Sequence, residues 1–147
     1  MNFEGNVNIQ ASREKVWTFL IDPESVSQCA PGLQSVDVLV PDQKFRAVAS
    51  IGFGSVKATF DNEIEFLELN EPNFAKLKVH GKAPGSAVDV VSDMKLSDGA
   101  DGSTDLDWTA DIVIVGTIAS LASRMMGGVT KKLTSAFFNC VKEKIEK

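Results

Sequence analysis

The sequence predicts an α+β fold: a seven-stranded antiparallel sheet crossed by one long C-terminal helix, with two short helices after the first strand. Three observations lead there. Between Leu33 and Gly116, apolar and polar residues alternate with period two through six stretches separated by short turn sequences. That is the pattern of half-buried strands joined as an antiparallel meander. From Thr117 to Lys147 the period changes. Ile118, Leu121, Ala122, Met125, Met126, Val129, Leu133, Ala136, Phe137, Cys140, Val141 and Ile145 recur at steps of three and four, which makes one face of a helix roughly 40 Å long. No other long amphipathic element exists to cover a sheet face, so this helix lies across it.

Each element has its own signal. Phe3, Gly5, Val7 and Ile9 alternate with polar neighbours and form the first strand. Ser12 is a good N-cap for a helix whose apolar face is Val16, Trp17 and Leu20. Asp22-Pro23-Glu24 ends that helix and starts a second short one, to about Cys29, which Pro31-Gly32 terminates. The second strand places Val36, Val38 and Val40 on one face. Pro41-Asp42, the Gly52/Gly54 pair, Asn70 to Asn73, Pro84-Gly85 and Asp98 to Gly102 separate the strands that follow. In the long helix, Gly127-Gly128 costs about 1 kcal/mol per glycine relative to alanine, so a bend or loosened turn is expected there, with a plain core helix that tolerates the pair as the other reading.

Composition narrows the function. The length of 147 residues suits one domain, residues 1–147, with a sizeable core. A net charge of -5 disfavours nucleic acid and anionic lipid as partners. The N-terminus has no basic segment followed by an apolar run, and the long helix carries too many polar residues to span a membrane. Cys29 and Cys140 sit in apolar contexts and are expected as buried free thiols of a cytoplasmic protein. Two separated cysteines and one histidine make no metal-ligand cluster, and the glycine pairs lack the context of a phosphate loop.

The strand phases then assign two faces. Two-residue turns put His80 opposite Asp89, Lys76 opposite Asp93, Glu65 opposite Lys78, Glu63 opposite His80 and Asp61 opposite Lys82. All fall on one outer face, a basic column between two acidic ones, which reads as a solvated surface that sets register. His80 belongs to it as a satisfied surface side chain. The inward phase of the strands carries no Asp, Glu, Lys, Arg or His. Because unpaired charge is expensive to bury, a cavity under the helix is expected to be neutral and apolar. Its walls are expected to be Phe60, Ile64, Leu77, Val90, Trp108 and Ile112 from the strands and Met125, Met126, Val129 and Phe137 from the helix. Asn62 and Ser92 are the polar groups available for a ligand carbonyl. General acid–base catalysis wants a titratable group beside the substrate, and outside the strands only Arg124, Asp22 and Glu24 are candidates. No catalytic residue, metal or cofactor is therefore expected. Trp17 and Trp108 are expected inside.

A set of segments in fixed order carries a resemblance. They are Phe3-Glu4-Gly5; Val16 to Glu24 with the sequence VWTFLIDPE; Cys29-Ala30-Pro31-Gly32; Ile51-Gly52 with Val56 to Phe60; Glu68 to Pro72; Gly102 to Asp111; and Gly116 to Ala119. Together they span almost the whole chain, which resembles the CoxG family, named for the CoxG subunit of carbon monoxide dehydrogenase, within the START-like, polyketide-cyclase-like (SRPBCC) superfamily. The resemblance implies the helix-grip fold, a curved antiparallel sheet wrapped around the long helix and a hydrophobic cavity. It also implies a place beside a molybdenum-containing carbon monoxide dehydrogenase or a related hydroxylase, in membrane recruitment, quinone handling or maturation. Longer family members carry an apolar tail after the helix. This sequence ends at Lys147, so the expectation is peripheral association at the inner membrane through a partner.

The leading expectation is a non-catalytic carrier or assembly accessory for a quinone- or lipid-like molecule. An enzyme of the polyketide cyclase or lyase type is the alternative. A protein-interaction module with a filled interior is the third reading. Convergent titratable side chains in the cavity would favour the enzyme, and an absent cavity the module.

Overall fold

Alternation and capping produce the elements in the expected order. The computed structural model describes residues 1–146. After β1 (Asn2–Ile9), α1 (Arg13–Ile21) starts at Ser12, whose hydroxyl accepts a hydrogen bond from the Lys15 amide at 3.3 Å. Asp22 ends α1 and caps α2 (Pro23–Ser27): its carboxylate accepts from the Glu24 amide at 3.3 Å and the Ser25 hydroxyl at 2.8 Å. The chain continues through β2 (Leu33–Val40), β3 (Lys44–Phe53), β4 (Val56–Asn70), β5 (Phe74–Ala83), β6 (Ser86–Asp98) and β7 (Thr104–Gly116) to α3 (Ala119–Ile145). The expected helix end at Lys147 lies outside the described residues.

The seven strands form one antiparallel sheet in the order β1-β7-β6-β5-β4-β3-β2. The meander accounts for β2 to β7, and β1 returns to pair with β7 (Phe3 opposite Ala110, Gly5 opposite Trp108). All five cross-strand pairs expected from the turns are present. The outer face is laced by Lys44–Glu63 at 3.1 Å, Lys78–Glu65 at 3.4 Å and His80 Nδ1–Asp89 at 2.6 Å. Arg46 grips Asp61 through two bonds at 2.9 and 2.7 Å and holds its carboxyl below the usual carboxylate range. A bulge between Phe66 and Glu68 turns Leu67 outward and shifts the β4–β5 register by one residue beyond it, so that Glu68 meets Lys76.

The concave face holds two buried clusters. One joins Ile9, Val16, Trp17, Leu20, Leu96, Leu106, Val141 and Ile145, so α1 and the end of α3 meet β1, β6 and β7 there. The other joins Phe53, Phe60, Ile112, Ala122 and Met126 beneath the start of α3. Trp17 is fully inside, whereas Trp108 is only half-buried.

Besides the partial exposure of Trp108, which is expected inside, three expectations need correction. Cys29 and Cys140 are not free thiols but form a disulfide across 111 residues, with Cα atoms 5.4 Å apart. The apolar context of Cys29 does correspond to a buried position. What local sequence does not contain is that the chain after α2 comes back against α3. Second, the Gly127-Gly128 pair does not interrupt α3, which is helical from Ala119 to Ile145. Both glycines face outward with open space where a Cβ would stand, and the buried neighbours Ala122 and Met126 hold the helix on the sheet. Third, β2 does not bury one face along its length. It is the sheet edge, its pairing with β3 shifts register twice, and Val38 and Val40 stay exposed while Val36 is half-buried.

Candidate functional site: an uncharged cavity beneath the second helix

Helices α1 and α2 are too short to have a core of their own. Their apolar residues therefore face the concave side of the sheet. Leu20, Ile21, Pro23 and Val26 look down on Phe45 and Ala47 of β3, Ile64 and Phe66 of β4, and Leu77 and Val79 of β5. The space between them is about 220 Å³, and its rim is completed by Ser27, Ala30, Leu33 and Val36. No titratable side chain lines it. Phe45 and Phe66 meet edge to face at 5.8 Å between ring centroids on its floor. The disulfide fixes the roof, since Cys29 follows directly on α2 and its partner Cys140 belongs to α3.

The twelve expected site residues separate into four groups. Ile64 and Leu77 line this cavity. Phe60, Ile112 and Met126 are buried in the second core cluster, with Val90, Met125 and Val129 packed against it. Trp108 and Phe137 pack against the first cluster. Asn62 and Ser92 are already committed to the backbone. The Asn62 amide donates to the Ala47 and Phe60 carbonyls at 3.1 and 3.2 Å, with Gly81 opposite leaving room for it. The Ser92 hydroxyl donates to the Thr109 carbonyl at 2.8 Å. Of the possible titratable groups, Asp22 is spent as a helix cap, Glu24 is exposed and Arg124 lies on the flank of α3 beside Gly128 and Lys132.

Sequence reasoning missed the helical side of the cavity: Leu20, Ile21, Val26 and the loop residue Ala30. The signal was present in Ile21 and Val26, apolar residues flanking Asp22-Pro23 in helices too short to hide them. Among the described residues no group of three or more His, Cys, Asp and Glu is placed to hold a metal ion, and no helix is long and apolar enough to cross a membrane.

The arrangement can enclose a small neutral apolar group and has no means within it to move a proton. Several solved structures share its shape. A conserved protein from Geobacillus kaustophilus superposes with a TM-score of 0.90 at 30% identity, covering 98% of this chain and 94% of that one. The ZhuI aromatase/cyclase from Streptomyces sp. R1128 superposes at 0.75 with 16% identity, over 98% and 92%. A START superfamily protein from Mycobacterium smegmatis superposes at 0.69 with 14% identity, over 99% and 97%. The last two show the fold alone. No curated protein matches the chain. The family model for the CoxG subunit of carbon monoxide dehydrogenase matches residues 5–146, and the chain belongs to that family, CoxG.

Proposed function

We propose that this chain is a non-catalytic binding protein that holds a neutral, quinone- or lipid-like molecule in the cavity beneath α2. It acts as a carrier or assembly accessory beside a molybdenum-containing carbon monoxide dehydrogenase or a related hydroxylase. The observation that carries the binding reading is the lining: every residue around the 220 Å³ space is uncharged, and only Ser27 brings a polar side chain. A dry apolar cavity of about 150 Å³ is enough for a benzene ring, while drug-sized ligands occupy about 300 Å³ or more. The cavity therefore suits a ring or a short stretch of alkyl chain, with the rest of a larger ligand leaving between α2 and β2. A charged ligand would lose its hydration with no internal counter-charge to replace it. The partner is supported by family membership alone.

The same lining disfavours the enzyme reading, which needs an acid or base within reach of the substrate. The test is a fluorescence titration with a short-tailed benzoquinone and with octanoate. Quinone should saturate the protein and quench Trp17, one helical turn from the cavity residue Leu20, while octanoate binds far more weakly. Ala47→Leu, which fills the cavity from β3, should weaken quinone binding. Equal affinity for both ligands, or quinone binding indifferent to Ala47→Leu, would reject the proposal.

A further inference from the structure

The flank of α3 that faces β1 carries a different kind of opening. A groove of about 410 Å³ runs between β1 and the helix. Its floor is Phe3, Val7 and the half-buried indole of Trp108, which lies so close over Gly5 that a Cβ there would stand 2.6 Å from the indole nitrogen. Its helical wall is the stripe Gly127, Lys131, Thr134, Phe138 and Lys142, spaced by threes and fours along one side of α3.

Several polar groups in this groove have no partner. Thr130 lines it, and its hydroxyl oxygen is buried without a hydrogen bond. The neighbouring Thr134 hydroxyl instead satisfies itself by donating back to the Thr130 carbonyl at 2.8 Å. Among the described residues the Trp108 indole N–H donates to no protein acceptor, and Lys131 and Lys142 form no ion pair. That contrasts with the sheet, where Lys44, Arg46 and Lys78 are all paired. From Ala119 to Lys142 the helix carries Arg124, Lys131, Lys132 and Lys142 and no acidic residue, in a chain of net charge -5. Among the described residues, Glu4 on the β1 rim is the one negative side chain lining the groove.

We propose that this groove is a second binding site, for an amphipathic organic anion: a planar one- or two-ring aromatic carrying a carboxylate. The ring lies against Trp108 and Phe3, where stacking and cation–π contact with a lysine are both available. The carboxylate takes charge-assisted hydrogen bonds from Lys131 or Lys142, and the indole N–H supplies a donor along the edge. The site is independent of the cavity beneath α2 and takes the class of ligand which that cavity rejects. Gly127 sits at the groove and Gly128 at the other flank of α3, each in open space, so a larger side chain at either position fills one side only and leaves a helix at least as stable.

The test uses 2-naphthoate and its neutral amide as probes. The chain has two tryptophans and hence two indole N–H signals in a ¹H–¹⁵N spectrum, assigned with Trp108→Phe. Naphthoate should move the Trp108 signal saturably and leave Trp17 in place. Naphthamide and the Lys131→Gln/Lys142→Gln variant should each bind about three- to tenfold more weakly, the scale of one or two exposed ion pairs. Gly127→Leu should abolish the shift, and Gly128→Leu should retain it. No saturable movement of Trp108, equal affinity for acid and amide, or unaltered binding to Gly127→Leu would each overturn the proposal.

Discussion

Two openings lie against the same sheet, one beneath α2 and one beside α3, and they differ in what lines them. The cavity beneath α2 is bounded by helices pinned in place by a disulfide, and every group facing it is apolar or satisfied. The groove beside β1 is bounded by the exposed side of α3, and among the described residues it keeps a half-buried indole, an unpartnered hydroxyl and two lysines without an ion pair. Burial depth decides the difference. A space walled by apolar side chains offers a stray charge no counter-charge, whereas a groove in contact with water can hold charged side chains at little cost. One chain thus offers a neutral compartment and a charged one, and the chemistry each can accept follows from its lining.

The comparison can be broken most forcefully at the disulfide. Cutting it by Cys29→Ser/Cys140→Ser, or by a dithiol, releases a link spanning 111 residues and should cost about 4–5 kcal/mol by loop entropy. Chemical denaturation with and without reductant measures it. An unchanged midpoint would mean that α2 is held by packing alone. Next in size is the contrast between the two indoles. Trp17→Ala empties a fully enclosed site and should cost about 3–5 kcal/mol. Trp108→Ala opens a space already in contact with the groove and should cost clearly less. Equal losses would show that the floor of the groove is as enclosed as the core.

Smaller changes sharpen the picture. Gly5→Ala drives a methyl into the Trp108 indole and should cost about 1–3 kcal/mol as overpacking does, with a shifted Trp108 signal as its signature. Gly127→Ala and Gly128→Ala should each gain about 1 kcal/mol, because α3 is continuous there and nothing stands in the way. A loss at either position would restore the bend that the sequence suggested. The smallest effect belongs to the outer face. The Arg46 guanidinium lowers the Asp61 pKa in the folded state. The pair therefore contributes stability above the unfolded carboxylate value of about 3.9, and that contribution disappears as pH falls through the lower folded value. Asp61→Asn should be slightly less stable than wild type at neutral pH, with the difference vanishing in acid. A difference that persisted in acid would assign the loss to something other than charge.

The outer face shows how far local pattern reaches. Five cross-strand pairs, from Asp61–Lys82 to Lys76–Asp93, followed from turn positions and a period of two, because a one-residue slip would have reversed every side chain. The same parity predicted an inner face without charge. Yet the expected binding residues dispersed. Phe60, Ile112 and Met126 became packed core, while Ile64 and Leu77 alone reached the cavity. Alternation says that a residue points inward. It does not say whether another side chain will already be there.

What the sequence determined by itself is therefore what neighbours in the chain carry: the seven strands, the cap at Ser12, the helix break at Asp22-Pro23, the five cross-strand pairs of the outer face and the two faces of the sheet. Periodicity and turn chemistry act over a few residues and leave a legible trace. Only the tertiary structure decided where α1 and α2 come to rest, that Cys29 meets Cys140, that β2 ends as an exposed edge and that α3 passes through Gly127-Gly128 unbroken. Each depends on contacts between segments far apart in the chain, and whether such segments meet is set by the packing of the whole molecule, which no short stretch of residues encodes.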